Sequence, residues 1–244
     1  MGHRNNQENE VEFKDKTVLI TGAGGNLGAA AARAFAQHGA NLVLLDRERA
    51  ALERVLGPES ERVLLATADL LDADQVDAAV ARARERYGRI DVLCNIAGGF
   101  RMGQAVHATS DQDWDFLFGL NTRSLLHSVR AVAPRMQAAG GGKIVNVAAY
   151  AALKGAAMMG AYCASKDVVV RLTEAMAAEL RDDGINVNCV LPSIIDTPDN
   201  RAAMPDADPT RWVQPDALAD VLLFLASDAA RAVHGAAIAV TGRS

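Results

Sequence analysis

The sequence from residue 17 to its end alternates short, β-rich apolar runs with longer helix-like stretches. This order is typical of βαβ units, which build a parallel sheet with helices on both faces. Strands that are covered on both faces are expected to be continuously apolar, and most of the runs have this character. We therefore predict an α/β fold with a single Rossmann-type, doubly wound parallel sheet of seven strands. The predicted strands are residues 17–20, 41–45, 62–66, 91–95, 142–147, 186–190 and 236–240.

Five alanine-rich stretches between these strands are predicted to be helices. Gly39 and Gly184 follow two of them and Pro215 opens the last, as expected for helix ends and a helix start. A chain of 244 residues without a low-complexity linker is compatible with one large domain. Residues 1–14 are polar, so we expect a disordered arm before a domain that covers residues 15–244. The predicted helices are residues 27–38, 73–87, 111–139, 159–182 and 215–227.

Composition and charge limit the possible partners. The 25 basic and 30 acidic residues give a formal net charge of -5, and neither sign forms a long block, which argues against nucleic acid as a partner. The N-terminus lacks the apolar core of a secretory signal, and no apolar run reaches the ~18 residues that would cross a membrane. Cys94, Cys163 and Cys189 form no CxxC pair, so disulfides are not predicted and a cytoplasmic location is expected. The five histidines show no ligand spacing, so no metal site is predicted.

The segment of residues 193–212 interrupts the alternation. It holds three prolines and four aspartates and is too long for an ordinary connection between a strand and a helix. It is either a surface excursion or a substrate lid, because long loops beyond the carboxyl ends of strands lie where open α/β sheets bind ligands. Met102, Met158, Met159 and Met204 fall near the same side, where flexible thioethers suit an adaptable apolar pocket or simply fill the core.

A glycine-rich turn, T-G-A-G-G-N-L-G over residues 21–28, joins the first predicted strand to the first helix. Glycine accepts positive φ and lets the backbone approach a ligand closely. The N-terminus of the following helix offers free N–H groups and a partial positive charge to a pyrophosphate. Because the turn lies at the first of several βα junctions, it predicts a dinucleotide site. The candidate residues are Gly22, Gly25, Asn26, Leu27 and Gly28.

Asp46 closes the second predicted strand, 18 residues after Gly28. Its carboxylate can accept both hydrogen bonds of an adenosine ribose diol and would repel a 2'-phosphate. NAD is therefore the expected cofactor. The neighbouring Arg47 would partly offset this repulsion, which keeps NADP as the alternative.

Tyr162 and Lys166 stand four residues apart on a predicted helix, so they project from one face as neighbours. A free phenol has a pKa near 10 and exchanges protons poorly at neutral pH. A nearby ammonium group is expected to lower that pKa, which would make the pair an acid/base couple. As a bare pattern, the pair is also compatible with two exposed helix residues.

Several motifs occur in the order typical of the short-chain dehydrogenase/reductase family, which the chain resembles from about residue 16 to residue 242. Motifs in a fixed order are more specific than any one of them. The matching segments are Thr21–Gly28 for the TGxxxGxG turn, Asn95–Gly98 for the NNAG motif, Asn121 for the helix asparagine, Tyr162–Lys166 for YxxxK, and Pro192–Thr197 for the segment that leads to a nicotinamide-binding threonine.

This resemblance implies an oxidoreductase that transfers hydride between NAD(H) and an alcohol/ketone-type small molecule. It implies that Tyr162 is the catalytic acid/base and also contacts the cofactor, that Lys166 also binds the nicotinamide ribose, and that Asn121 holds a water connecting Lys166 to solvent. It also implies a homo-oligomer, either a tetramer or a dimer. The further cofactor contacts that it implies are Asp69, Leu70, Asn95, Ala97, Gly98, Pro192, Ile195 and Thr197.

Three positions depart from the family pattern. The second turn glycine is Asn26, a residue type that visits the left-handed region more than most. The glycine expected in the proline segment is Ser193. The family's serine, which polarises the substrate carbonyl thirteen residues before the tyrosine, is Ala149. Tyr150 is the nearest hydroxyl, but neighbouring strand residues point to opposite faces, so it is a poor substitute unless the strand has already ended.

Loss of one oxyanion donor typically lowers a rate by about 10²–10³-fold, so Ala149 leaves three explanations open. Ser193 or the segment 193–212 supplies another donor. Alternatively, the substrate is a quinonoid or otherwise activated ring that needs less polarisation. Residues 149–162 resemble the corresponding segment of quinonoid dihydropteridine reductase, whose substrate is of this kind. The third explanation is a sensor that binds NAD(H) without turnover.

Overall fold

Seven strands form one sheet in the computed structural model, which describes residues 13–244. Every neighbouring pair is parallel, and the order across the sheet is β3-β2-β1-β4-β5-β6-β7. The order reverses between β1 and β4, which is the point where doubly wound sheets bind ligands. The predicted fold class is confirmed. The strands are β1 (Thr17–Thr21), β2 (Asn41–Asp46), β3 (Val63–Thr67), β4 (Val92–Asn95), β5 (Gly142–Val147), β6 (Ile185–Pro192) and β7 (Ala237–Val240).

Eight α-helices connect or follow these strands in the described residues. The helices are α1 (Asn26–Gln37), α2 (Arg49–Leu56), α3 (Ala73–Tyr87), α4 (Asp111–Phe118), α5 (Ser124–Ala138), α6 (Gly160–Leu180), α7 (Pro198–Ala203) and α8 (Pro215–Ala226). The prediction missed α2, because this helix is short and only Ala51 and Leu52 of its eight residues are buried. The helix predicted over 111–139 is divided into α4 and α5 by a π-helical turn, Gly119–Arg123.

The apolar core lies in two layers, one on each face of the sheet. Neighbouring residues of a strand point to opposite faces, so Leu19 packs in one layer while Val18 and Ile20 pack in the other. Residues of α3, α5 and α6 cover the first face, and residues of α1, α2 and α8 cover the second. Burial on both faces explains why the strands are continuously apolar.

The predicted N-terminal arm of residues 1–14 lies mostly outside the described residues. Of its two described residues, Phe13 is buried, with its ring edge-on to Phe35 at a centroid distance of 4.8 Å. The backbone N–H of Phe13 also donates to the carbonyl oxygen of His38. The folded part of the chain therefore includes Phe13 and does not start at residue 15. No helix in residues 13–244 is long and apolar enough to cross a membrane.

Candidate active site

The glycine turn after β1 lies so close to backbone atoms at Gly22 and Gly28 that neither position has room for a side chain. A Cβ on Gly28 would lie 2.2 Å from the carbonyl oxygen of Gly22. Gly22 has a φ of +66°, and a Cβ there would lie 2.8 Å from the Cα of Ala97, in the segment after β4. The hydroxyl oxygen of Thr21 accepts hydrogen bonds from the backbone N–H groups of Ile96 and Ala97, at 3.1 and 3.3 Å. The turn is therefore fixed against β4 at the point where the strand order reverses.

Helix α1 begins at Asn26, directly after this turn, with Gly25 as its N-cap residue. No side chain caps the helix, so the N–H groups of its first turn, which includes Leu27 and Gly28, are available to an anion. We call the glycine turn of residues 21–28 the cradle; together with the uncapped start of α1, it fits the pyrophosphate of a nicotinamide dinucleotide. Asn26 lies in the helix and is not among the non-glycine residues with positive φ. The left-handed explanation for Asn26 is therefore wrong, since this position requires no glycine conformation.

The carboxylate of Asp46 reaches from the end of β2 to the glycine turn. Its Oδ2 accepts the backbone N–H of Gly24 at 3.0 Å, and its Oδ1 accepts the N–H of Arg47 at 2.7 Å. A Cβ on Gly24 would lie 3.1 Å from Oδ2 and 2.7 Å from the Cβ of Ala51. The side chain of Arg47 is exposed and forms no ion pair within residues 13–244. Asp46 is thus placed beside the cradle, with a free guanidinium next to it.

Tyr162 and Lys166 lie one turn apart near the start of α6, at the carboxyl end of the sheet. Lys166 is buried, and its Nζ donates to the carbonyl oxygen of Val147 at 3.0 Å. A Cβ on Gly98 would lie 2.9 Å from this Nζ and 3.0 Å from the Oδ1 of Asn121. Gly98 therefore lets the segment after β4 approach both polar side chains. The hydroxyl of Tyr162 makes no hydrogen bond to any described residue, so it is free for a ligand.

Burial controls the proton affinity of both side chains. It raises the pKa of Tyr162 to about 12, with a smaller contribution from Cys163, and it lowers the pKa of Lys166 to about 8. This result is opposite to the expected lowering of the phenol pKa by the ammonium, because desolvation of the phenol dominates. The raised pKa keeps the phenol protonated at neutral pH, and the lowered pKa of Lys166 means that its ammonium loses a proton more easily than an exposed lysine does.

Asn121 lies in the π-helical turn between α4 and α5 and is buried. Its Oδ1 accepts the backbone N–H of Gly99 at 2.8 Å. Its Nδ2 donates to the carbonyl oxygen of Gly99 at 3.1 Å and to the Oγ of Ser165 at 3.0 Å. The amide therefore joins the segment after β4 to α6. These bonds give Asn121 a positioning role, and the water that the resemblance implies stays a prediction.

Asn95, at the end of β4, is committed to a buried network below the site. Its Nδ2 donates to the Oδ1 of Asn146 at 2.8 Å, and its Oδ1 accepts the hydroxyl of Ser128 at 2.6 Å. The Nδ2 of Asn146 donates in turn to the hydroxyl oxygen of Thr173. Asn95 therefore fixes the β4 segment through its side chain, and its amide is not presented to the cleft.

The other predicted cofactor residues lie at the same edge of the sheet. Leu70 is buried in the core after β3, and the Asp69 carboxylate accepts a backbone N–H two residues further on, at 2.9 Å. Pro192 ends β6. Thr197 caps α7 through its hydroxyl oxygen, and the carbonyl oxygen of Ile195 accepts a side-chain amide of the same helix. The structure thus brings all the predicted segments to one edge of the sheet.

The position of the family's serine offers no hydroxyl. Ala149 is buried two residues after the end of β5. Tyr150 is exposed and opens a 3₁₀ turn, so the strand has ended and the alternation argument against Tyr150 does not apply. The Ser193 hydroxyl donates to the carbonyl oxygen of Thr241 at 3.0 Å and lies 2.7 Å from the Oγ of Ser244. Ser193 is therefore bound to the C-terminal segment instead of facing a substrate.

The segment of residues 193–212 contains α7 and a 3₁₀ turn, Pro209–Arg211. Its first part is fixed by Asp196, whose carboxylate accepts two hydrogen bonds from Arg201, at 2.6 and 2.8 Å, and one from Gln214, at 2.9 Å. These bonds, led by that of Arg201, hold the pKa of Asp196 at about 2. Trp212, at its other end, is buried, whereas most residues between are exposed.

Sequence reasoning missed three residues that shape the site. Gly99 exchanges two hydrogen bonds with Asn121, and Ser165 accepts a third while its own hydroxyl donates to the carbonyl oxygen of Tyr162. The ring of Phe100 lies edge-on to that of Tyr162, with centroids 4.8 Å apart. Their only sequence signal is adjacency to the predicted motifs. No group of three or more His, Cys, Asp or Glu residues in the described part of the chain is placed to hold a metal ion.

A doubly wound sheet with a glycine cradle at its switch point is the architecture of dinucleotide-binding α/β proteins. A family model described as short chain dehydrogenase matches residues 16–208. D-threitol dehydrogenase from Mycolicibacterium smegmatis is 36% identical over 252 residues, which cover 97% of this chain and 96% of the relative. The chain belongs to the short-chain dehydrogenase/reductase family of oxidoreductases.

Two solved structures of the family resemble this chain closely. One is a gluconate 5-dehydrogenase from Burkholderia cenocepacia in complex with NADP and tartrate, with a TM-score of 0.86, 30% identity, and coverage of 95% of this chain and 96% of that one. The other is a 3-ketoacyl-(acyl-carrier-protein) reductase from Brucella melitensis complexed with NADH, with a TM-score of 0.86, 33% identity, and coverage of 96% and 100%. Both bound cofactors are nicotinamide dinucleotides, one with and one without the 2'-phosphate.

Proposed function

We propose that the protein is an NAD(H)-dependent dehydrogenase/reductase of alcohol/ketone-type small molecules. The observation that carries this proposal is the hydroxyl of Tyr162, which makes no hydrogen bond within residues 13–244 and lies one helical turn from the buried Lys166. Such a hydroxyl is available to a substrate oxygen. The gluconate and threitol dehydrogenases named above support an alcohol or ketone as the reacting group.

The residues of the cradle are proposed to hold the cofactor. The N–H groups at the start of α1 would bind the pyrophosphate, and Asp46 would bind the adenosine ribose. Ala97 and Gly98, together with the segment from Pro192 to Thr197, would line the nicotinamide half. When bound, the nicotinamide supplies or accepts the hydride.

Proton movement is proposed for the chain's own side chains. In reduction, the Oη of Tyr162 donates its proton to the carbonyl oxygen of the substrate, and in oxidation it receives the proton of the alcohol. A phenol with a raised pKa is a weak acid, so the phenolate that forms needs a nearby positive charge. Lys166 is the buried cation of this helix face, and the resemblance also implies that it binds the nicotinamide ribose.

Mixing the purified protein with NADH and a panel of ketones, quinones and dihydropteridines tests the function. We expect loss of NADH absorbance with one or more ketones. Tight NADH binding without oxidation by any acceptor would end the enzyme proposal and leave the sensor. Oxidation by quinones or dihydropteridines alone would replace it with the second candidate, a reductase of activated rings, which the missing hydroxyl at Ala149 favours.

The choice between NAD and NADP is tested at Asp46. We expect Asp46→Ala to weaken NADH binding by roughly 10–100-fold, because loss of a charged hydrogen-bond acceptor costs about 1.5–3 kcal/mol in total. NADPH binding should improve or stay constant, since the repulsion is removed and Arg47 is free. Fluorescence titration with both cofactors measures the two dissociation constants. Glu48→Ala, which removes an exposed acidic residue two positions on, is the control and should change neither constant. Equal weakening of both cofactors in Asp46→Ala would contradict the assignment.

The empty hydroxyl position is tested by Ala149→Ser. If ketone polarisation is limited by this position, we expect kcat/KM for simple ketones to rise by about 10²-fold, the usual contribution of one such donor. NADH affinity should stay within twofold. Ala151→Ser, in the neighbouring 3₁₀ turn, is the control and should leave ketone reduction unchanged. A fall in ketone reduction would show that the site works without a serine and would favour the activated-ring reductase.

Three further proposals concern organisation. The segment 193–212 is proposed to act as a substrate lid, since its ends are fixed and its middle is exposed at the carboxyl edge of the sheet.

A homo-oligomer, a tetramer or a dimer, is proposed because Trp114 on α4 is exposed and stacks on Phe118 with centroids 4.2 Å apart, which leaves an aromatic surface open. A cytoplasmic location is proposed because the three cysteines are free and buried.

A further inference from the structure

Exposed apolar side chains are concentrated in two segments that lie against α6, the helix that carries Tyr162. Nine large apolar or aromatic side chains are exposed in the described residues, and six of them lie in two short segments, after β4 and between β5 and α6. Exposed patches of this kind mark binding surfaces in soluble proteins. We call the six residues the apolar rim: Phe100, Met102, Val106, Tyr150, Leu153 and Met158.

The two segments of the apolar rim are bound to each other and to α6. The backbone N–H of Gly103 donates to the carbonyl oxygen of Met158 at 2.8 Å. A methyl group of Val106 lies so close to Gly160 that a Cβ there would be 2.6 Å away. Met158 has a φ of +63°, a conformation that is unusual for methionine and that is typically retained at ligand sites. These contacts hold the two segments of the apolar rim in fixed positions relative to each other and to the start of α6.

Three of the four polar residues that line the pocket beside Tyr162 are already hydrogen-bonded to one another. That pocket is lined on its polar side by Arg101, Gln104, Thr109 and Asp113. The carboxylate of Asp113 accepts hydrogen bonds from Arg101, from the Nε2 of Gln104 at 3.0 Å, and from the Ser110 hydroxyl at 2.9 Å.

The remaining polar groups of this pocket are also engaged. The Oε1 of Gln104 accepts the backbone N–H of Ser110 at 3.1 Å, and the Thr109 hydroxyl donates to the carbonyl oxygen of Ala105 at 3.3 Å. The guanidinium of Arg101 also lies over the ring of Phe116, 3.9 Å from its centroid. The carboxylate of Asp113 and the amide of Gln104 are therefore already engaged, and a substrate with many hydroxyls would meet mainly the spare N–H groups of Arg101 and the oxygen of the Thr109 hydroxyl.

We infer that the substrate carries a bulky apolar group, a ring or a branched alkyl chain, next to its reacting oxygen, and that the apolar rim binds this group. The inference rests on the proposed function, because it places the reacting oxygen at Tyr162. It distinguishes this chain from its polyol-named relative, D-threitol dehydrogenase. Thioethers at Met102 and Met158 suit such a group, since they adapt to its shape.

Two alcohols and three proteins test the inference. The probes are 1-phenylethanol and D-threitol, and the proteins are the wild type, the double variant Met102→Gln/Met158→Gln, and the control Phe224→Gln. Glutamine keeps the length of methionine and removes its apolar character, and Phe224 is an exposed apolar residue on α8, away from the apolar rim. Calorimetry with and without saturating NADH gives the dissociation constants without turnover, and NAD-coupled kinetics give kcat and KM.

We expect the wild type to bind 1-phenylethanol at least tenfold more tightly than D-threitol, with a negative heat-capacity change. The double variant should weaken 1-phenylethanol binding by roughly 5–20-fold, the effect of removing part of the burial of two side chains, through KM and with kcat nearly constant. Binding of D-threitol should stay within twofold, and Phe224→Gln should match the wild type.

Three results would overturn the inference: tighter binding of D-threitol than of 1-phenylethanol, an unchanged affinity for 1-phenylethanol in the double variant, or equal losses for both alcohols. If D-threitol is oxidised and preferred, the proposed function stands and the inference fails. If 1-phenylethanol binds selectively through the apolar rim but neither alcohol is oxidised, the inference stands and the proposed function fails.

Discussion

Tyr162→Phe is expected to lower kcat by roughly 10³-fold, within the range that a positioned acid/base contributes. The hydroxyl makes no hydrogen bond to the described protein, so its removal leaves no broken bond. The ring keeps its edge-on contact with Phe100. The dissociation constant for NADH should therefore change by less than about threefold. Single-turnover absorbance measurements and fluorescence titration give the two quantities.

The chain offers a matched control for this variant. Tyr87 is one of the three tyrosines, and its buried hydroxyl also has no hydrogen-bond partner in the described residues, but it lies at the end of α3. Tyr87→Phe should retain full activity. Tyr150→Phe separates the exposed hydroxyl of the 3₁₀ turn from that of Tyr162. Normal turnover in Tyr162→Phe together with a large loss in Tyr150→Phe would transfer the acid/base role to Tyr150.

Gly28→Ala is expected to weaken NADH binding by at least about 100-fold. The added Cβ would lie 2.2 Å from the carbonyl oxygen of Gly22 and 2.7 Å from the Cα of Ala23, both backbone atoms that do not yield without opening the turn. A displaced turn loses the alignment of the N–H groups that face the pyrophosphate. Local strain of 1–3 kcal/mol should also lower the melting temperature by roughly 2–12 °C. Fluorescence titration and thermal unfolding measure the two effects.

Two further glycines make the result interpretable. Gly155→Ala is the control, since its Cβ would meet no atom within 4 Å, and it should change neither quantity. Gly25→Ala should keep the fold, because its Cβ would lie 3.4 Å from the Gly22 carbonyl oxygen, an ordinary contact distance. It should still weaken NADH binding, because the added methyl group would lie at the exposed start of α1, where the pyrophosphate is proposed to bind. Normal NADH affinity in both Gly25→Ala and Gly28→Ala would refute the cradle.

The sheet could be predicted from the sequence because burial on both faces leaves a strong local signal in each strand. The predicted strand 142–147 and helix 73–87 match the structure. The π-helical turn at Gly119–Arg123 could not be predicted, since its sequence is compatible with a continuous helix. The turn holds Asn121, whose side chain is hydrogen-bonded to Gly99 and Ser165. These partners are 22 and 44 positions away in the sequence. Tertiary contacts of this length leave no periodic pattern.

The candidate site was predicted as a set of positions and less well as a set of interactions. The order of the motifs identified Gly22, Gly98, Asn121, Tyr162 and Lys166. Their partners were not predicted, because a hydrogen bond from Lys166 to a backbone carbonyl has no signature in residue type. The predicted lowering of the Tyr162 pKa was also wrong, because the shift depends on how deeply the start of α6 is buried, which residue types alone do not reveal.

The neutral environment of Lys166 has a consequence for evolution and for engineering. The ammonium group of Lys166 is shielded from water and is hydrogen-bonded to one peptide oxygen, and no carboxylate among residues 13–244 forms an ion pair with it. Its burial therefore lowers the stability of the folded protein without a ligand. A carboxylate nearby would relieve this penalty and would also quench the charge that a bound ligand meets. Selection for thermal stability alone would therefore favour replacement of Lys166 by an uncharged residue, whereas selection for activity would retain it.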